Sequence, residues 1–345
     1  MSGAIGRDRA ARTTRGPWAR IPQAAAALAT LLASGCAPLT FDDLDGWAVA
    51  DHAGVLAALE RHCRTRPGTS CAALRRPDAP RAALEAGFRP VAVEGEALFT
   101  GYFEPELAAA PSFAPGYPVP LYAPPVAAAP LPTRAEIEAG ALAGRGLEIA
   151  WLADPVEAFF LHVQGSGRLR FPDGRIMRVG YAGKNGYPYR SIGRLLAERT
   201  GTPPAEITAQ TLAAWLRADP DRGRALMAEN SSFIFFRRVD GLPDDAGPIG
   251  AAGLPLSAGV SAAADPAHHP AGSLLWIEGE NPPGPGTEGG PVRRLVLVQD
   301  TGSAIKGPAR LDLFLGSGTE AGARAGALRA RGRVIRLVPR DLPAG

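Results

Sequence analysis

The chain is poor in the residues that most catalytic motifs require. Of its 345 residues only three are Cys, three are Met and five are His. The histidines, at positions 52, 62, 162, 268 and 269, show no HExxH or related ligand spacing. His268 and His269 are adjacent and diverge, so no metal site is expected. No CxxC pair occurs. GSGR at 165–168 and GSG at 316–318 are too short to cradle phosphates, and no GK[ST] opens a helix after them. GVSAA around Ser261 lacks the second glycine of a nucleophile elbow. The formal net charge is only +3, with the arginines scattered, so no nucleic-acid partner is implied. Lysine is nearly absent. Lys184 and Lys306, both beside glycine, are either sites that need a compact ammonium or chance survivors. A nucleotide enzyme, a hydrolase triad and a cofactor site are all disfavoured. A saccharide enzyme, which needs carboxylates and a groove of aromatics and amides, stays open.

What is abundant is glycine (42) and proline (34), about a fifth of the chain, well above average usage. Such a composition predicts short elements and many turns, hence a β-rich fold. The N-terminus reads as a targeting segment. Arg7, Arg9, Arg12, Arg15 and Arg20 precede a short apolar run, Ala24–Ala33, too short to span a bilayer. It ends in LLASGC, so residues 1–36 are expected to be a lipoprotein signal with Cys36 as the lipidated residue. Ala37 after the cysteine favours the periplasmic face of the outer membrane. Cys63 and Cys71, eight positions apart, are either a disulfide or two free buried thiols.

Along the chain, 47–62 and 69–86 read as short helices and 97–104 (ALFTGYFE) as a strand. The Pro-rich stretch that follows reads as a linker or irregular crossing. Thr133 caps a helix with Glu136 as its capping-box partner. Residues 149–181 read as successive strands with turns at QGSG and PDG, and 190–218 as helical. Strands are expected at 229–237, 273–278 and 293–299, a helix over Glu320–Arg331, and a last strand over Arg333–Val338.

The most informative stretch is LVLVQDTGSAIKGPARLDLFLGSG, 295–318. An apolar run ends on Asp300, a Gly-rich turn follows, and a second strand carries Asp312. Alternation puts Leu311, Leu313 and Leu315 on one face and Arg310, Asp312 and Phe314 on the other. Asp312 thus points away from the apolar layer. The pair fits acid/base chemistry, and Asp beside Gly also fits a turn that satisfies backbone N–H groups.

Six blocks together resemble the membrane-bound lytic murein transglycosylase A family. They are FTGYFEPEL (99–107), LPTRAEIEAGAL (131–142), FFLHVQGSGRLRF (159–171), YAGKNGYPYRSIGRLL (181–196), NSSFIFFR (230–237), and the 295–318 stretch with EAGARAG (320–326). The resemblance implies a fold that is mainly β with α: a double-psi β-barrel domain formed by 41–105 and 190–345, an inserted smaller β-barrel domain at 106–189, and a glycan groove between them. It implies cleavage of the β-1,4 bond between N-acetylmuramic acid and N-acetylglucosamine in peptidoglycan, leaving a 1,6-anhydro end. By motif position Asp312 is the single acid/base, Asp300 supports it, and Asp265 completes a three-aspartate pattern with a structural role. Thr100, Tyr102, Gln164, Ser166, Tyr181, Lys184, Asn185 and Tyr189 are the expected groove residues, and Lys306 and Arg310 are expected to point away from Asp312. The implied partners are glycan strands, the membrane through the lipid anchor, and cell-wall synthesis complexes; no cofactor is implied. Two alternatives are a hydrolase using Glu104 or Glu106 as a second carboxylate, and a non-catalytic peptidoglycan-binding lipoprotein.

Overall fold

The computed structural model describes residues 38–342 apart from 75–78, 127–130, 205 and 285. Cys36 and the expected signal segment lie outside the described residues. No helix among the described residues is long and apolar enough to cross a membrane.

Fourteen residues, His52–Thr65, form α1, capped by Asp51, whose carboxylate accepts from Gly54 N. Short helices α2 (Thr69–Ala72) and α3 (Pro80–Gly87) follow. Cys63 and Cys71 are joined in a disulfide that ties the end of α1 to α2. Strand β1 (Phe88–Ala92) leads into β2 (Ala97–Glu104), which has the bounds expected from its aromatic and β-branched run.

Far along the chain come β9 (Ser261–Ala264), β10 (Leu274–Asn281), β11 (Gly290–Asp300), β12 (Arg310–Ser317), helix α9 (Gly318–Ala327) and β13 (Arg329–Pro339). Their order is β13-β10-β11-β9-β12-β2, and a β13–β2 pairing closes the ring into a barrel, with β1 added on the outer half of β13. β2 runs parallel to β12 and β9 parallel to β11; the other pairings are antiparallel. Phe99, Ala262, Ala264, Ile277, Val296, Val298, Leu311 and Leu313 fill the interior. On one outer side Leu59 of α1, Leu84 of α3 and Trp47 of the turn before α1 cover Trp276, Leu297, Ile335 and Leu337. Each such buried side chain contributes roughly 1.5–3 kcal/mol against exposure.

Closure depends on two glycines. Gly279 and Gly332 are paired where β13 is held by both β2 and β10. A Cβ on Gly332 would lie 1.9 Å from Glu278 O, and one on Gly279 would lie 2.6 Å from Arg331 O. Gly332→Ala is therefore expected to destabilise the fold by about 1–3 kcal/mol through overpacking, read as a lower urea midpoint with an unchanged slope. The same pairing corrects the expected end of the last helix. Arg329–Arg331 were read as helical from their propensity, but ladder bonds to β2 and β10 draw them into β13.

Between β2 and β9 lies a second sheet. It comprises β3 (Glu106–Ala110), β4 (Val119–Tyr122), β5 (Glu148–Leu152), β6 (Ser166–Arg170), β7 (Ile176–Lys184) and β8 (Ile234–Val239), in the order β4-β5-β3-β6-β7-β8. β4 comes from the stretch expected to be an irregular crossing, and β3 lies just before it. Thr133 caps α4 (Arg134–Glu136) with the expected capping box, and a π turn, Ile137–Ala141, continues it.

Residues 149–181 are not all strands. α5 (Pro155–Gln164) lies among them, with the Asp154 side chain accepting from Val156 N and Glu157 N, Pro155 in its first turn, and Gly165 at φ 79° ending it. Its apolar side, Val156 and Phe159, packs against α6 (Ile192–Thr200), α7 (Ala209–Ala218) and α8 (Pro220–Ala228) through Ile192, Leu196, Leu212 and Leu226. The second sheet and its helices thus run to Val239, past the expected insertion limit at 189.

Candidate active site

The two aspartates of the 295–318 stretch meet through the ladder of β9. Asp312 pairs with Ala263 on one side of β9, and Asp300 pairs with Ala263 on the other. Thr100 of β2 pairs in turn with Asp312. Thr100, Asp312, Ala263 and Asp300 therefore form one row across four strands on the outer face of the barrel, since Phe99, Leu311, Ala262 and Ala264 take the inner face. Asp300 needs a bulge to get there. Val298 lies inside with Ala262, and the register shift at Gln299 turns the next residue outward. Gln299 itself is buried and accepts from Ser261 Oγ at 2.6 Å. Two strand spacings separate the backbones of Asp300 and Asp312 by about 10 Å, unlike the side-by-side carboxylates of a proton-sharing dyad.

The two carboxyl groups have different surroundings. Asp300 is fully engaged. Its Oδ1 accepts from Ala251 N and Thr301 N, each at 2.9 Å, and its Oδ2 accepts from the Tyr102 hydroxyl at 2.9 Å. Asp312 Oδ1 accepts from Thr100 Oγ1 at 2.5 Å, and its Oδ2 has no hydrogen-bond partner among the described residues. Burial pushes the Asp312 carboxyl above the usual carboxylate range; the Thr100 bond and the Arg310 guanidinium pull it down, and the charge of Asp300 adds a smaller upward push. Burial also raises Asp300, against the pull of its two backbone N–H donors and Tyr102. Tyr102 is held well above the ordinary phenol range by burial and then by Asp300, so it stays protonated and donates.

Arg310 departs from expectation. It was expected to point away from Asp312, yet its Nη2 donates to Thr100 Oγ1 at 2.9 Å. Strand alternation already puts it on the same face as Asp312. Lys306 does point elsewhere, with its Nζ 3.9 Å from Asp265 Oδ1. Asp265 accepts from Ala267 N and Gly307 N, so it fastens the turn before β12 to the end of β9.

The other expected residues separate into two groups. Gln164, at the end of α5, accepts from Phe103 N at 3.3 Å and so adjoins Tyr102. Ser166 begins β6, opposite Gly180. Tyr181 and Lys184 are exposed on β7. Asn185 is spent on the fold: its Nδ2 donates to Pro132 O and Ser231 O, and its Oδ1 accepts from Phe233 N. Tyr189 is held beside Arg134 and Ser191. The blocks at 131–142, 159–171, 181–196 and 230–237 thus converge on a knot. In it buried Arg134 donates to Asn230 O and Ser232 O between the rings of Phe159 and Phe233, and neutral His162 Nδ1 accepts from Ile234 N.

Sequence reasoning missed the Ala251 amide and the clamp beside the row. Glu104, 1% exposed, accepts from Arg168 Nε at 2.8 Å and Ser317 Oγ at 2.7 Å, and Arg168 also donates to Ala246 O. Nothing local announces these partners, which lie 64 and 213 residues away.

Two family models match the chain in its two parts. The "MltA specific insert domain" matches residues 98–237, and the "3D domain" matches 260–338. The chain belongs to the membrane-bound lytic murein transglycosylase A family. The family's member from Vibrio cholerae is 39% identical over 250 residues, which is 71% of this chain and 66% of that protein. The Escherichia coli K12 member is 36% identical over 244 residues, 70% of this chain and 65% of that one. The match therefore spans slightly less than two thirds of these relatives. Among solved structures of the family, a membrane-bound lytic murein transglycosylase from Agrobacterium tumefaciens superposes with a TM-score of 0.80 at 32% identity, covering 88% of this chain and 97% of that one. E. coli MltA with bound chitohexaose gives 0.72 at 31% identity, covering 84% and 90%. The insert-domain match ends within β8, where the second sheet ends.

Proposed function

We propose that this protein is a peptidoglycan lytic transglycosylase in which Asp312 carries out both proton transfers and Asp300 orients the site. The observation that carries this reading is the asymmetry of the two carboxyl groups. Both carboxyl groups lie in one row on the barrel's outer face and both are raised by burial, but Asp300 has each oxygen engaged by fixed donors, whereas Asp312 has one oxygen with no hydrogen-bond partner among the described residues. Asp312 in its acid form donates to the glycosidic oxygen. As a carboxylate it then accepts the proton of the muramic acid C6 hydroxyl, which attacks C1 and closes the 1,6-anhydro ring without water. One free carboxyl suffices for this sequence, whereas a glycosidase needs a second carboxylate for water or for a covalent intermediate. Glu104 is tied to Arg168 and Ser317, and Glu106 is paired with Arg170 at 2.6 Å, which weighs against the hydrolase alternative.

Binding of chitohexaose by the E. coli relative supports a glycan strand as the ligand. The inserted unit supplies the second wall of the groove, with Gln164 beside Tyr102 and with Ser166, Tyr181 and Lys184 further out. The domains then run as a barrel of 41–105 and 240–345 around an insertion of 106–239. The disulfide and the "membrane-bound" name of the relatives support a lipid-anchored location on the periplasmic side of the outer membrane, where cell-wall synthesis complexes are accessible. The test is mass spectrometry of a digest of purified sacculi. Released muropeptides are expected to be lighter by one water than hydrolysed standards. Products of hydrolysed mass would favour the glycosidase, and no release would favour a binding protein.

A further inference from the structure

Among the described residues Arg310 is the one strong cation beside the candidate acid, and its bonds are specific. Its Nη1 donates to Leu311 O at 2.5 Å and reaches Leu98 O at 3.5 Å, which anchors the guanidinium to β12 and β2. Its Nη2 donates to Thr100 Oγ1 at 2.9 Å, and Thr100 Oγ1 lies 2.5 Å from Asp312 Oδ1. A guanidinium only donates, and a hydroxyl has a single hydrogen. The Thr100 oxygen therefore accepts from Arg310, and its own hydrogen needs an acceptor. Among the described residues Asp312 Oδ1 is the acceptor that it has. If Asp312 carried its proton on Oδ1, the Thr100 hydrogen would lose this partner, at the cost of an unmade bond in a buried place.

Building on the reading of Asp312 as the acid, we infer that Arg310 is a positioning residue: by accepting nothing and donating to Thr100, it turns the Thr100 hydroxyl onto Oδ1 and confines the transferable proton of Asp312 to Oδ2. Oδ2 is the oxygen left without a partner among the described residues, so the acid proton and the free lone pair needed in the second step belong to the same atom. The charged and titratable groups facing Asp312 are Arg310 on its own strand, Asp300 on β11 and Tyr102 on β2; Arg329 of β13 faces Arg310. Arg310 thus sets geometry through Thr100 while its charge favours the carboxylate. The site gives up some acid strength at high pH in return for a fixed proton.

The test compares Arg310→Met, Arg310→Gln and Thr100→Val with wild type. One readout is the carboxyl titration of Asp312 by carbon NMR without substrate, assigned by the resonance missing in Asp312→Asn; the other is kinetics on sacculi. Arg310→Met is expected to raise the titration midpoint by about one unit and to lower kcat roughly tenfold, the equivalent of one charged hydrogen bond, with KM little changed. Gln restores an N–H donor without the charge, so it is expected to recover kcat while keeping the raised midpoint. Thr100→Val is expected to cost as much as Arg310→Met, and the double variant no more than either alone, because both act through one hydroxyl. An unchanged midpoint and kcat in Arg310→Met would overturn the inference. So would a rise in KM alone, which would make Arg310 a substrate contact. Activity retained by Asp312→Asn would sink the catalytic reading instead, and the substrate-free titration would still judge the role of Arg310.

Discussion

Asp312→Asn is expected to abolish lysis of sacculi, by about three orders of magnitude or more, while leaving the fold at least as stable as wild type. The loss follows from the chemistry. A general acid contributes on the order of 10²–10⁴-fold, and in the proposed mechanism one group serves both steps, so no neighbour substitutes for it. Asn retains an oxygen for the Thr100 hydroxyl, so the row Thr100–Asp312–Ala263–Asp300 should persist. The stability half follows from linkage. Burial raises the carboxyl's folded pKa above its unfolded value. The stability associated with that shift is present below the unfolded value and is lost as pH rises through the folded one. Above the unfolded value, folding the wild type either takes up a proton or buries a charge that the fold disfavours, and Asn removes that penalty. Melting curves should therefore nearly coincide near pH 4 and separate in favour of the variant by pH 7.5. A variant less stable at the higher pH would show that Asp312 is a structural carboxylate.

Glu104→Gln is expected to give the opposite pattern, a marked loss of stability with activity per folded molecule kept. Glu104 is almost wholly buried, and its partner Arg168 is mostly so. Removing one member of a buried pair leaves the other uncompensated and typically costs about 3–5 kcal/mol. The pair joins β2 of the barrel to β6 of the second sheet, and Ser317 ties it to the start of α9. The loss should appear as a lower urea midpoint, and the Glu104→Gln/Arg168→Met double variant should recover part of it, because no lone charge then remains. Under the hydrolase alternative, with Glu104 as second carboxylate, the folded variant would lose activity along with stability.

These two residues mark what the sequence could disclose. Asp312 was legible because alternation in ARLDLFLG sets its face and the Gly-rich turn sets its isolation. β2 was legible from its β-branched and aromatic run, and the helix at Thr133 from its capping box. α5 reads as strand from sequence because AFFLHV is a short, mostly apolar run, which either element accommodates. The caps that decide it, Asp154 with Pro155 and then Gly165, were in plain view. β4 was hidden in a Pro-rich stretch, and β3 just before it carries no β-branched or aromatic residue; pairing with β5 and β6, and not propensity, makes them strands. Asn185 and Tyr189 looked like sugar ligands by residue type, but their type serves equally to tie backbone, and only the fold assigns them to the Arg134 knot. Glu104 needed partners from two distant segments, and no periodicity reports such a meeting.

The closed ring has a consequence for the order of assembly. Thr100 and Asp312 stand 212 residues apart, and Tyr102 and Asp300 stand 198 apart, with the whole second sheet made in between. β2 has no barrel neighbour until β12 and β13 exist, so it waits while the intervening strands pair among themselves. Contacts of such separation form late and slowly. On the proposed reading, the acid, its hydroxyl partner and the supporting carboxylate come together only when the last strands arrive. On the same reading a chain cut short before residue 310 holds no assembled site, so the capacity to cut the wall arises with the final closure of the fold.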